Sequence, residues 1–158
     1  MTAATPDLCD ELGDRAKVAE PIFRDFGGAS AFAGPIETVR VFEDNALVRR
    51  ALESEGRGRV LVVDGGGSRR CALIGGRLAS LAAANGWSGI VMNGCVRDVA
   101  EISSAPVGVK ALAPCPRPPR KTGAGEQGVA VTFAGVTFVP GHYLWGDADG
   151  LVVAEEGF

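Results

Sequence analysis

Arg97 and Asp98 stand side by side at the end of the run Asn93-Gly-Cys-Val-Arg-Asp98, and Glu101 follows one helical turn later. A guanidinium grips a carboxylate with two prongs, and a carboxylate holds a hard cation. The pair therefore suits a small anionic substrate together with a divalent metal. Upstream, Gly75-Gly76-Arg77-Leu78 opens an Ala-rich segment that reads as a helix. Two glycines ahead of a helix leave amides pointing one way at its positive end, where an anion binds without any particular side chain. Both motifs also have a plainer reading. The glycines can simply permit a turn, and Asp98-x-x-Glu101 has the spacing of a capping box. The residues alone leave the two options for Asp98 open. In favour of a ligand role, the motif follows an apolar strand, and ligands collect at strand ends in α/β sheets.

Other motifs carry less. Val60-Leu-Val-Val-Asp64-Gly65-Gly66-Gly67 resembles a dinucleotide-binding turn, but the position that needs a third glycine holds Arg70, so a tight turn is expected. Asp147 and Asp149 in Gly146-Asp-Ala-Asp-Gly150 evoke a calcium loop, yet Trp145 occupies a ligand position, so this too reads as a turn. His142 is the single histidine, has no Ser or Cys neighbour in sequence, and is expected at the surface. Cys9, Cys71, Cys95 and Cys115 form no CxxC pair, and with one histidine they make no zinc site. They are expected to be small, reduced core residues.

The elements that must position these residues alternate in the front half. Thr5-Pro6 starts a short helix with Thr5 at the N-cap and Gly13 at its end. Pro35 to Phe42 reads as a strand, and Asp44 caps a helix burying Leu47, Val48, Ala51 and Leu52. Arg59 to Val63 and Gly89 to Asn93 are apolar strands, with a helix from Arg77 to Asn85 between them that buries Leu78, Leu81 and Ala82. After Glu101 the chain turns mainly β. Val107–Leu112, Val129–Phe133, Val136–Val139 and Leu151–Ala154 read as strands, and Pro114 to Gly128 as a flexible Pro/Gly/Arg-rich loop. A layered α/β fold with a mixed sheet fits both halves, with residues 1–158 as a single domain.

The bulk composition narrows the partners. With 158 residues, 46% of them apolar, the chain can bury roughly two-thirds of its unfolded surface. A net charge of −3 with scattered basic residues argues against direct nucleic-acid binding. The acidic start has no signal pattern and no apolar run suits a bilayer, so a cytoplasmic protein without membrane contact is expected.

Val63-Asp-Gly-Gly-Gly-Ser68, Ala72-Leu-Ile-Gly-Gly76, Asn85-Gly-Trp-Ser-Gly-Ile90, Asn93-Gly-Cys-Val-Arg-Asp98, Lys121-Thr-Gly-Ala-Gly-Glu126 and Asp147-Ala-Asp-Gly150 together resemble one family over nearly the whole chain. It is that of the regulator of ribonuclease E activity A and the related class II 4-hydroxy-4-methyl-2-oxoglutarate aldolases. The resemblance implies a swivelling β/β/α three-layer sandwich assembled as a homotrimer. It also implies metal-dependent cleavage of 4-hydroxy-4-methyl-2-oxoglutarate to two pyruvates through a pyruvate enolate, with oxaloacetate decarboxylation as a side activity. Carried over by motif, the amides of Gly75, Gly76, Arg77 and Leu78 hold the substrate carboxylate and Arg97 binds substrate. Asp98 ligates Mg²⁺ or Mn²⁺, and Glu101 completes the acidic end of the signature as a candidate for the metal's outer sphere. One position departs: the well-studied aldolases carry an Asp where this chain has Gly76. The same resemblance offers a non-catalytic alternative, a trimer that inhibits a ribonuclease E-type enzyme by docking on it, with Arg117 to Lys121 contributing surface. A menaquinone methyltransferase label, attached to some relatives, gains nothing from the Asp64 turn.

Overall fold

Strands with apolar side chains on both faces need cover on both faces, and Val60–Asp64 and Gly89–Asn93 receive it. The computed structural model describes residues 2–157. Phe32–Arg40, Val60–Asp64, Gly89–Asn93 and Gly108–Ala111 run parallel in that order. Tyr143–Asp147, Gly150–Ala154 and Lys17–Val18 extend the sheet antiparallel beyond Phe32–Arg40, and Arg24–Asp25 closes the other edge. Leu61, Val63, Ile90 and Met92 point to one face, where helices α2 (Ala46–Glu53) and α3 (Gly76–Ala84) cover them. Val60, Val62 and Val91 point to the other, under the hairpin Val131–Phe133/Val136–Phe138 with its stacked Phe133 and Phe138 rings. The result is the expected layered α/β sandwich with a mixed sheet. Among the described residues no helix is long and apolar enough to cross a membrane.

Each parallel strand after the first changes sheets at its C-terminal end. Val60–Asp64 leads through a turn to Ala72–Ile74, Gly89–Asn93 kinks at Gly94 into Cys95–Val96, and Gly108–Ala111 continues past Leu112 into Ala113–Pro114. These short strands pair again, parallel and in the same order, as a second small sheet. Cys71 and Cys95 are buried here; burial raises their thiol pKa values and keeps them protonated, as core residues.

Phe32 explains two glycines that no turn requires. Its ring lies where Cβ atoms on Gly89 and Gly108 would come within 2.3 and 2.1 Å of it, so the two glycines leave room for the ring over their strands. The first long strand spans Phe32–Arg40 rather than Pro35 to Phe42. Pro35 is tolerated inside it because the parallel neighbour joins only at Ile36, opposite Val60.

Three other expectations are corrected. Thr5 does not cap α1 (Thr5–Leu12); Ala4 holds that position. Instead the Thr5 amide and hydroxyl donate to the Asp147 carboxylate at 2.8 and 2.7 Å, so a distant acid tethers the helix start. Leu81 is only half-buried, and Ala79 takes the inward place in α3. Finally, the Pro114 to Gly128 segment is not a loose loop. Glu126–Gln127 pairs with Phe32–Arg40, and the buried Asp44 carboxylate accepts from the Thr122 amide and hydroxyl and the Gly123 amide.

Thr5→Val preserves shape but removes one charge-assisted bond, and should cost about 1.5 kcal/mol, or about 5 °C in Tm by thermal melting. Burial pushes the Asp147 pKa up, but hydrogen bonds from Thr5, Asp149 and Gly150 outweigh it and hold the group below 3.8. The tether is therefore complete above that pH and lost as pH falls below it.

Candidate active site at the start of the third helix

The second small sheet delivers the two motifs to one place. Ile74 pairs with Val96, so the residues that follow each strand, Gly75-Gly76 and Arg97-Asp98, emerge as neighbours. The Arg97 amide donates to the Ile74 carbonyl at 3.0 Å and locks this register. The site thus lies beyond the C-terminal ends of parallel strands, where open α/β sheets place their ligands.

The geometry of Asp98 excludes a cap on its own helix. Its backbone adopts φ 58°, ψ 47°, and its side chain makes no capping bond to its own helix α4 (Val99–Ile102). The capping-box option is therefore overturned. In the left-handed conformation the carboxylate turns outward and crosses to α3, where Oδ2 accepts the Gly76 amide at 3.0 Å. A non-glycine residue at positive φ carries strain, and strain of this kind clusters at functional sites. α4 is anchored by Ile102, which is fully buried.

The remaining residues surround a cleft of about 790 Å³. Gly75, Arg77, Leu78, Arg97, Asp98 and Glu101 all line it, and Gly76 lies buried just beneath. Because Asp98 takes the Gly76 amide, Arg77 and Leu78 offer the next amides without a partner inside the helix. Arg97 is half-buried; one of its Nη atoms donates to the Pro116 carbonyl at 3.4 Å, which steadies the guanidinium while further N–H groups face outward.

The cleft also contains residues that the sequence did not single out for it: Asn45, Arg49, Glu53, Pro119 and Lys121. Lys121 stands in the Arg117 to Lys121 grouping, which reads as a docking surface, and the Asp44 tether helps to bring it to the cleft wall. Asn45 donates from Nδ2 to the Leu73 carbonyl at 3.0 Å and ties α2 to the cleft floor. The Asp64 turn is self-contained: its carboxylate accepts the Gly66 amide and the Asn93 amide group, with Gly66 and Gly67 both at positive φ. His142 is half-buried in a separate hollow beside Lys17 and Glu155, apart from these groups.

The donor set fits a hard cation of modest demands. Among the described residues no three His, Cys, Asp or Glu side chains gather to hold an ion. An all-protein cage such as zinc prefers is thus not offered. An exposed carboxylate such as that of Asp98 at the mouth of a cleft suits magnesium or manganese, which keep several waters and share ligands with the substrate.

A family model described as RraA-like, Aldolase/RraA, matches residues 5–153. A protein of Alkalilimnicola ehrlichii, provisionally named a 4-hydroxy-4-methyl-2-oxoglutarate aldolase, is 55% identical over 98% of this chain and 96% of its own length. The RNA-processing inhibitor RraA of Thermus thermophilis superposes with a TM-score of 0.96 at 48% identity, covering 100% of this chain and 96% of its own. A Geobacillus kaustophilus structure described as an S-adenosylmethionine:2-dimethylmenaquinone methyltransferase superposes at 0.97 with 50% identity, covering 99% and 97%.

Proposed function

The chain belongs to the RraA-like family, and on that premise we propose that it is a divalent-metal-dependent carbon–carbon lyase. Its substrate is 4-hydroxy-4-methyl-2-oxoglutarate, cleaved to two pyruvates, and it decarboxylates oxaloacetate as a side activity. The observation that carries this reading is the carboxylate of Asp98 turned away from its own helix to the start of α3. It sets an acid, a guanidinium and a positive helix end around one cleft.

The chemistry follows from what bond scission leaves behind. Breaking the carbon–carbon bond leaves an electron pair on pyruvate as an enolate in both reactions. In the aldol cleavage the 4-hydroxyl gives up its proton as its carbon becomes the carbonyl of the second pyruvate; in the decarboxylation carbon dioxide leaves. In each the enolate then takes a proton from water. Arg97 sets fixed positive charge beside the developing oxyanion, where preorganised charge lowers the barrier most. The Arg77 and Leu78 amides hold the substrate carboxylate, and Lys121 adds positive charge suited to a second carboxylate. Asp98 would hold the divalent cation, which would supply Lewis-acid withdrawal of electrons. The proposal includes assembly as a homotrimer, which would help to cover exposed Val18, Ile22, Phe42 and Val99.

The test is pyruvate release from both oxo acids. We expect turnover with Mg²⁺ or Mn²⁺ and its loss on chelation; no pyruvate from either substrate with either metal would refute the reading. The likeness to the Thermus inhibitor favours a second reading, docking on a ribonuclease E-type enzyme. Inhibition of such an enzyme that persists in an Asp98→Asn variant would support it as a separate surface function. The Asp64 turn, whose carboxylate is consumed by its own loop, gives no support to methyl transfer.

A further inference from the structure

The segment from Arg117 to Lys121 is a strap between two spaces. On one side Pro119 and Lys121 form part of the wall of the cleft. On the other, Arg117, Pro118 and Arg120 line a separate hollow of about 570 Å³, completed by Glu43, Arg70 and Cys71. A bridge between Asp44 and Arg120 keeps the chain extended there, so Arg120 and Lys121 point to opposite sides. Pro119 borders both spaces.

The hollow is short of negative charge. Three guanidiniums line it against one carboxylate. That carboxylate is already engaged: Glu43 accepts the Ser68 hydroxyl at 2.6 Å and pairs with the Arg70 Nε at 2.7 Å. The bond from Ser68, and after it Arg70 and Arg120, hold the Glu43 carboxyl below its ordinary pKa despite partial burial. Arg70 is also steadied by Phe42, whose ring centroid lies 5.5 Å from the guanidinium carbon. By contrast, Arg117 and Arg120 neither donate a side-chain hydrogen bond nor form an ion pair among the described residues. Their backbones are nevertheless fixed. The Arg117 carbonyl accepts the Ala72 amide at 2.8 Å, the Arg120 amide donates to the Glu43 carbonyl at 2.8 Å, and the Arg120 carbonyl accepts the Asn45 amide at 3.0 Å. A chain of net charge −3 thus holds two unpaired arginines over one concave space. Like charges gathered this way repel until an anion joins them.

We propose that this hollow binds a small polyphosphate anion, a diphosphate group either free or carried by a nucleotide, gripped by Arg117 and Arg120 with Arg70 beside them. A guanidinium fork matches phosphate oxygens two at a time. A diphosphate has oxygens and charge enough for both forks, whereas a lone carboxylate fills one. Once seated, the anion ties down the outer side of the strap and thereby fixes Lys121 on the inner side. Any effect on turnover rests on the lyase reading of the cleft; the binding does not.

Equilibrium dialysis of radiolabelled pyrophosphate, without divalent cations and at about 0.15 M ionic strength, tests the site directly. Arg117→Gln/Arg120→Gln should weaken binding at least about tenfold. Its melting temperature should not change, because both side chains are exposed and the backbone bonds remain. Glu43→Gln, which removes the one acid, should tighten binding severalfold, and Arg97→Gln, which alters the cleft instead, should leave it unchanged. Pyrophosphate should also slow chemical acetylation of Lys121, read by mass spectrometry, in the unmodified protein but not in the double variant. ADP that binds tighter than pyrophosphate assigns the diphosphate to a nucleotide; equal or weaker binding assigns it to the free anion. Citrate that binds as tightly as pyrophosphate shows charge attraction alone and overturns the inference. Absence of binding, binding that survives the double substitution, or binding lost in Arg97→Gln overturns it too. Failure to release pyruvate with pyrophosphate binding intact refutes the lyase reading alone.

Discussion

Asp98→Asn should reduce metal-dependent pyruvate release by at least about a hundredfold, the scale on which a preorganised charge contributes to catalysis. Asparagine is the informative replacement because of the backbone. At φ 58° alanine would add strain, whereas Asn tolerates the left-handed region well. The Asn side-chain oxygen can also still accept the Gly76 amide that Oδ2 of Asp98 accepts at 3.0 Å. The variant therefore keeps the fold, the α4 start and the α3 cap, and loses only the negative charge. Loss of activity with an unchanged melting curve, together with loss of Mn²⁺ binding, is the expected result. Retained activity would show that the carboxylate serves α3 alone.

The parts of the molecule that could be read from sequence are those in which neighbouring residues report on each other. Val60 to Asp64 and Gly89 to Asn93 are unbroken apolar runs of strand length, and both form the centre of the sheet. In the Asn-Gly-Cys-Val-Arg-Asp run, likewise, Arg97 and Asp98 follow directly on a strand and line the cleft. The strands Ala72–Ile74, Cys95–Val96 and Ala113–Pro114 left no such mark, because two or three residues are too few to show a period. Whether Asp98 capped its own helix or reached across to another depended on a single φ angle, and Asp-x-x-Glu is compatible with both. Lys121 entered the cleft through a contact made far away in sequence.

That contact carries the largest stability effect expected. Asp44 is 2% exposed, and its carboxylate accepts from the Ala46 amide at 3.1 Å, the Thr122 amide at 2.7 Å, the Thr122 hydroxyl and the Gly123 amide at 3.3 Å. In sequence it looks like an ordinary helix cap, but Asn45 holds the N-cap position of α2, and Asp44, one residue earlier, accepts only the Ala46 amide there. Its greater role is to bind a segment 78 residues away, reinforced by the Glu43 carbonyl accepting the Arg120 amide and the Arg120 carbonyl accepting the Asn45 amide. Asp44→Ala strands several buried donors at once and should cost about 3 kcal/mol, or roughly 10 °C in Tm. Burial pushes the Asp44 pKa up, but the bonds from Thr122, Ala46 and Gly123 prevail and bring it from 3.8 down to about 2. The stabilisation is thus complete above pH 3.8 and fades as pH falls through about 2. The Asp44→Ala variant should lack that component of acid sensitivity. Because the freed segment takes Lys121 and Pro119 away from the cleft wall, kcat/KM for oxaloacetate should fall at least about tenfold even at temperatures where the variant is fully folded. A variant that melts lower but keeps full kcat/KM would mean that Lys121 plays no part in holding the substrate.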